Sequence, residues 1–262
     1  MSYTFLCCRK QSPDQPSPLP LPEHKAVYVR EMFGRIARHY DLMNRLMTLG
    51  QDRVWRRYTV AQAIPTGLGS GSPESKIILD MATGTGDLAF EVLRQQPDAQ
   101  VVGLDFAPEM LALTQKKKAA ASARPSLLAG DALRLPFADS TFDAIVTGFA
   151  LRNVTDIPAA FAEMTRVTRP GGRVACLEIA KPRRPLFRHL FAFYFFRLVP
   201  LLGGWITGQR LAYTYLPYSL TTFLTPDEIA DVMRRTGWGN VHFRRLMLGT
   251  VAVHAGIRGQ GK

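Results

Sequence analysis

At 262 residues, 47% of them hydrophobic, the chain suits one large domain or a core with an appendage. Lys and Arg number 33 against 21 Asp and Glu, and the formal charge of +12 favours an anionic partner, membrane headgroups or nucleic acid, with a solvated basic face as the alternative. No zinc-finger spacing or aromatic-glycine RNA signature is present, and Cys7, Cys8 and Cys176 make neither a disulfide framework nor a zinc site, which points away from nucleic acid and towards a reducing compartment.

Residues 1–23 hold five prolines (Pro13, Pro16, Pro18, Pro20, Pro22) and no helical period, so a disordered tail is predicted. The tail lacks the apolar run of a signal peptide, and only Arg9 and Lys10 in it are basic, unlike a transit peptide. Residues 24–66 form an N-terminal helical cap, and 67–75, beginning GLGSGSP, a flexible linker.

The most informative stretch is IILDMATGTGD, residues 77–87. Ile77 to Leu79 predict a buried parallel strand with Asp80 near its carboxyl end. Gly84-Thr85-Gly86 lets the backbone turn tightly under a ligand, and a helix follows from Asp87. Gly84-x-Gly86-x-x-Ala89 also fits a dinucleotide fingerprint. The acids Asp80 and Asp87 would repel a pyrophosphate but suit the ammonium and sulfonium of S-adenosylmethionine, leaving NAD as the second choice.

Gln100 to Asp105 is a second strand ending in an acid, about 20 residues past the glycines, where a ribose-binding carboxylate is expected. Phe106 offers a ring face to adenine, a core position being the alternative. A third strand, Ser126–Ala129, leads to Asp131, an acceptor for the adenine amine, and to Ala132, whose amide can donate to a ring nitrogen. Residues 141–150 are the fourth strand, running through Gly148 to Leu151-Arg152-Asn153-Val154, so Arg152 and Asn153 are expected at the transferred methyl group. A helix over about 156–168 stops at Arg169-Pro170-Gly171-Gly172, and Arg173–Ile179 is the fifth strand. Together, 76–182 make the nucleoside-binding core.

Residues 183–224 form an aromatic lid. Arg188, His189, Arg197 and Pro200 interrupt the apolar run 186–206, so an interfacial or lid helix fits better than a membrane span, with core packing as the alternative. Arg183, Arg184 and Arg188 are placed to meet lipid phosphates. Residues 225–262 open on the capping box Thr225-Pro226-Asp227-Glu228 and close with strands over 240–257.

The blocks FGRIARHYDLMNRLMTLGQDRVWRR (33–57), DMATGTGD, GDALRLPFADSTFD, GFALRNVTD, RPGGRVACLEIAKP, AYTYLPYSLTTFLTPDEIA and GTVAVHAGI closely resemble, in order, those of the ubiquinone/menaquinone biosynthesis C-methyltransferases, within the class I S-adenosylmethionine-dependent family. The resemblance runs from about Val29 to Gly256; departures are the long tail, Tyr218 within LPYS, and Leu224 where proline is expected. It implies an α/β Rossmann-like fold: a mostly parallel seven-stranded sheet with helices on both faces, the N-terminal cap, and the lid inserted after the fifth strand. It also implies S-adenosylmethionine bound by Asp80, Gly84, Thr85, Gly86, Asp105, Phe106, Asp131, Ala132 and Gly148, with S-adenosylhomocysteine as product and no metal. Arg152, Asn153 and Tyr40 are the expected catalytic residues, with Asp41 beside Tyr40 helping to close over the substrate or pairing with an arginine. His39 and His254 are weaker candidates.

The implied reaction is methylation of a ring carbon of a prenylated hydroquinone, demethylmenaquinol first and the ubiquinone-pathway benzoquinol second. The implied setting is cytoplasmic, peripherally on an anionic membrane, with a homodimer left open. An NAD-dependent oxidoreductase or a silent adenosyl-binding adaptor is the alternative from another class.

Overall fold

The computed structural model describes residues 19–64, 75–119 and 124–260. Most of the predicted tail, nearly all of the linker, and Cys7 and Cys8 lie outside them. The cap consists of α1 (Lys25–Ile36), a 3-10 turn (Ala37–His39), α2 (Tyr40–Thr48) and α3 (Asp52–Ala63). The core then alternates β1 (Ile77–Met81), α4 (Asp87–Gln95), β2 (Gln100–Asp105), α5 (Pro108–Ala119), β3 (Ser126–Ala129), β4 (Phe142–Gly148), α6 (Ile157–Val167) and β5 (Thr168–Ile179).

The lid is α7 (Pro185–Phe193), a π turn (Tyr194–Leu198), α8 (Val199–Thr207) and α9 (Arg210–Thr221). The chain closes with α10 (Pro226–Arg235), β6 (Trp238–Leu246) and β7 (Val251–Arg258). Strands β1–β7 form one sheet, ordered β3-β2-β1-β4-β5-β7-β6, with β7 antiparallel to β5 and to β6.

Period-two alternation explains the layers. In β1, Ile78 packs with Val60 of α3 and Leu88 and Val92 of α4, while Leu79 and Met81 pack on the opposite face with Phe161 and Met164 of α6. Ala144, Val146 and Ala175 repeat the first set, and Ile145, Val174 and Cys176 the second. Both faces are covered, which is why these strands read as near-continuous apolar runs. Order reverses between β1 and β4, and ligands of such sheets sit outside the carboxyl ends at that point.

Several boundaries follow local chemistry. Asp156 caps α6 by accepting from the Ala159 amide at 2.9 Å, and Thr225 and Glu228 make the reciprocal capping box of α10. Strand β5 begins at Thr168 instead of Arg173: Thr168 pairs with Phe142 and Arg173 with Ala144, so the intervening Arg-Pro-Gly-Gly bulges out. Pro200 lies just past the π turn. Its ring would crowd the carbonyl four residues back in a regular helix, and the wider turn relieves that.

The β1–α4 joint centres on Asp80, which is fully buried. Its Oδ2 accepts from Thr83 Oγ1 at 2.6 Å and from the Ala89 amide at 2.9 Å. Gly86 takes φ +82° just before α4, and a Cβ there would lie 2.5 Å from Thr114 Cγ2, so only glycine fits. Burial raises the Asp80 pKa to about 7; the Thr83 and Ala89 hydrogen bonds oppose that rise, and Asp105 and Asp87 add to it.

Two outcomes are expected. Burial holds the Asp80 pKa at about 7 in the folded state, above the ordinary 3.8 of the unfolded chain, so the folded state keeps the extra proton between these values and this residue's contribution falls as pH rises. The unfolding free energy of wild type minus that of Asp80→Asn, from urea titrations, should therefore decrease over that window. In the α8–α9 hairpin a Cβ on Gly203 would lie 2.1 Å from Tyr213 Cγ. Gly203→Ala should cost about 1–3 kcal/mol in the same measurement.

Candidate active site

Two cavities meet beyond the carboxyl ends of β1, β2 and β4. The first is lined by Gly84, Asp105, Phe106, Asp131, Ala132 and Gly148, together with Arg30, Phe33 and Tyr40 of the cap. Asp105 is buried, and its two oxygens accept from the Gly84 amide (2.7 Å) and the Ala107 amide (2.8 Å). Burial raises its pKa against the hydrogen bonds from Ala107, Gly84 and Phe106. Each carboxylate oxygen has a second lone pair, leaving acceptors for a pair of hydroxyls. Asp131 Oδ1 accepts from the Leu133 amide at 2.9 Å, bracing the loop after β3. Phe106 is 40% exposed, with the Arg30 guanidinium 5.7 Å from its ring centroid.

These features fit an adenosyl group. Gly84 has φ +57° and a Cβ on it would meet nothing within 4 Å, so the backbone is open to a ligand there. They do not fit a pyrophosphate. Gly86, at the start of α4, is not among the lining residues, and the Ala89 amide of that first turn is already taken by Asp80. That amide is therefore not available to a phosphate.

Asp80, Thr85 and Gly86 do not line this cavity. They shape the turn from behind. The expectation that Asp80 and Asp87 face a cationic ligand is corrected too. Asp87 is paired with Arg56 at 3.1 Å and Lys117 at 2.8 Å. Burial opposes its ionisation, but Arg56 and Lys117 outweigh that and hold its pKa below the usual carboxylate range. Arg56 also pairs with Asp52, and Lys117 reaches Asp41 at 2.6 Å. Asp41 accepts in addition from Thr85 Oγ1 at 2.6 Å. This five-membered charge network, with Thr85, staples α2 and α3 to the glycine turn and α5.

The second cavity, about 630 Å³, is bounded by the cap and the lid. Its lining is mostly apolar: Met43 and Met47 from α2, Phe187 and Phe191 from α7, Phe195, and Tyr213 and Tyr215 from α9. Phe191 and Phe195 stack with centroids 5.1 Å apart. Burial pushes the pKa of the Tyr213 and Tyr215 phenols up to about 12.

Phe33, Tyr40, Phe149 and Asn153 line both cavities and form the partition between them. Burial raises the Tyr40 pKa, opposed by Asn44 and by the charges of Arg152 and Arg56. Asn153 Oδ1 accepts from Tyr215 Oη at 3.2 Å, while its Nδ2 makes only a 3.4 Å contact to the Phe149 carbonyl. Its amide is thereby oriented with the donor side lightly engaged.

Arg152 lines the second cavity and not the first. It is buried, and its Nη1 donates to the Phe149 carbonyl (2.7 Å) and to Glu178 Oε2 (3.3 Å); its buried Nε makes no hydrogen bond. Glu178 Oε1 accepts from the Leu151 amide at 2.6 Å, and burial raises its pKa against Arg152 and that amide.

Glu178 is not among the residues expected from the sequence, although it lies near the carboxyl end of β5 just as Asp80 and Asp105 lie near the ends of their strands. The same strand-end signal would have found it. Tyr215 carried no comparable signal. His39 lines neither cavity, nor does His254, which is fully buried, bonded through Nε2 to the Pro226 carbonyl at 2.9 Å, and depressed by burial to about 4.

Comparison with known proteins follows the same lines. A demethylmenaquinone methyltransferase of Roseiflexus castenholzii is 51% identical over 240 residues, covering 92% of this chain and 97% of that one. The ubiquinone/menaquinone biosynthesis C-methyltransferase UbiE of Desulfotalea psychrophila is 43% identical over 230 residues, covering 88% and 90%. Among solved structures, a SAM-dependent methyltransferase from Aquifex aeolicus matches with a TM-score of 0.56 at 16% identity, covering 83% and 97%. Phosphoethanolamine N-methyltransferase 2 of Haemonchus contortus, in complex with S-adenosyl-L-methionine, matches with a TM-score of 0.56 at 14% identity, covering 78% and 52%. These two distant matches bear on the fold alone. The profile of the ubiE/COQ5 methyltransferase family spans residues 22–258, from the first cap helix to the end of β7, and the chain belongs to that family.

Proposed function

We propose that this protein methylates a ring carbon of a prenylated hydroquinone, converting demethylmenaquinol to menaquinol with S-adenosylmethionine as donor. The observation that carries the reading is the partition: a cavity with acids suited to a nucleoside and a larger greasy cavity share Phe33, Tyr40, Phe149 and Asn153. The names of the close relatives supply the acceptor class. A benzoquinol of ubiquinone biosynthesis is the second reading, because one relative's name covers both pathways.

Asp105 and Asp131 would hold the ribose hydroxyls and adenine amine, with Gly84 and Gly148 allowing close approach. When bound, S-adenosylmethionine supplies an electrophilic methyl group on a positively charged sulfur. The protein's part is to place a ring carbon at the partition and to make that carbon nucleophilic. A ring hydroxyl ortho to the carbon does so on losing its proton, by spreading charge into the ring. Arg152 is too basic to take that proton. Its fixed charge stabilises the phenolate and can orient a water as acceptor. The Asn153 amide donates to the same oxygen, and Tyr40 closes the wall from the cap side. The proton on the methylated carbon then passes to the oriented water and out through it, restoring the aromatic ring. Aromatic lining keeps other water away and aligns the reactants.

With labelled S-adenosylmethionine and demethylmenaquinol, label should enter the quinol ring; a protein that binds the donor but transfers nothing refutes the substrate. Tight NADH binding without S-adenosylhomocysteine binding, by calorimetry, would instead favour an oxidoreductase. Asp105→Ala should weaken S-adenosylhomocysteine binding by about tenfold or more. Arg152→Ala should leave that affinity nearly intact and lower kcat by about a hundredfold. Melting curves should accompany the second variant, since Glu178 loses its buried partner.

A further inference from the structure

We propose that the lid's outer face docks on an anionic lipid bilayer, so that the greasy cavity opens directly into the acyl layer. This rests on the prenylated-substrate reading above and adds the surface through which such a substrate enters.

The lid's α7–π turn–α8 run, Pro185–Thr207, is continuous and apolar enough by length and composition to cross a membrane. Its inner side is occupied: Phe195, Val199 and Gly203 are buried within the protein, and Tyr194 Oη donates to the Met47 carbonyl at 2.9 Å, tying the middle of the run to the cap. Spanning would break those contacts. Its outer side carries an apolar stripe, with Leu186 and Trp205 each 86% exposed and Leu190, Phe193 and Leu201 between them. Such a half-buried, half-greasy helix lies in the interfacial plane.

Two observations name the occupant. First, the cavity emerges on this face. Leu46, Leu49, Leu190, Phe193, Leu202 and Met247 line it and are also exposed, so its mouth is rimmed by side chains that water does not favour. Second, from Ile179 to Pro226 the chain carries Lys181, Arg183, Arg184, Arg188, Arg197 and Arg210 and no acid. Arg183 is paired with Asp227 at 2.8 Å; the segment's other cations, with no acid among them, give the lid a positive charge that complements anionic headgroups over an acyl layer. A second copy of this chain would bring the same positive charge against itself, within a protein already at +12.

The tryptophans provide the test. Trp55 and Trp238 are buried, at 7% and 2% exposure, so an environment change at the surface reports Trp205. Full-length protein, without quinone, is titrated with vesicles of phosphatidylcholine and phosphatidylglycerol, with and without brominated acyl chains. Emission should shift to the blue and be quenched by bromine, and both responses should vanish in Trp205→Phe. Sedimentation with the vesicles should weaken about tenfold in Trp205→Glu and in Leu186→Glu, and weaken with added salt. Neither residue lines a cavity, so both variants should keep wild-type turnover on a short-chain soluble quinol.

Sedimentation without a Trp205 response overturns the docking face, as does no binding at all. A blue shift that grows with protein concentration in the absence of lipid identifies a dimer interface instead. Vesicle binding by a protein that methylates no quinol leaves the docking standing and removes the substrate reading. Methylation of the soluble quinol without vesicle binding does the reverse.

Discussion

The site depends on one buried carboxylate that touches no cavity. Asp80, next to last in β1, takes the Thr83 hydroxyl and the Ala89 amide on a single oxygen, so strand, glycine turn and helix α4 keep a fixed relation. Everything that the ligand would meet is set from there. With the turn fixed, the Gly84 amide points at Asp105, and Thr85 is presented to Asp41. Burying that acid is unfavourable, as its raised pKa records, and the arrangement persists because the surrounding sheet leaves it no alternative. The same choice helps set the cofactor class. A helix start already satisfied by the protein's own carboxylate has less to offer a phosphate.

Around that anchor, charge and grease are kept apart. The Asp41–Lys117–Asp87–Arg56–Asp52 chain binds cap to core on one side of the partition. On the other, the cap and lid contribute methionines and aromatic rings. Tyr40 stands next in sequence to the first acid of the network and lines both cavities. The cap therefore reaches the glycine turn and the substrate wall through adjacent residues, which links cofactor geometry to substrate geometry over a few ångströms of covalent backbone.

Much of this was legible in the sequence, for local reasons. Apolar runs ending in an acid and a glycine turn predicted β1, β2 and their loops, since burial on both faces and positive φ leave direct marks on composition. Asp105, Asp131 and Ala132 came from the same logic and do line one cavity. What was not legible is who partners whom. Asp80 and Asp87 looked alike on paper; one faces the inside of the turn, and the other meets Arg56 and Lys117 from distant helices. Glu178 carried the strand-end signal, but its link to Arg152 spans 26 residues and exists only once β4 and β5 pair. Strand β5 starts early because Thr168 can pair with Phe142 across a bulge, and no propensity of Arg-Pro-Gly-Gly announces that.

The π turn at Tyr194–Leu198 acts as a phase shifter. An α-helix advances about 100° per residue, so one extra residue in a turn rotates everything after it by that angle relative to everything before. Counting in regular steps from Leu186 through Leu190 and Phe193 would put position 204, a glycine, on the outer stripe; the shift puts Trp205 there, with Gly203 turned in against Tyr213. The lid's two halves are thus set like two gears on one shaft. Deleting a single residue from that turn would bring back the clash at Pro200 and turn the second half's large aromatic and its smallest residues the wrong ways.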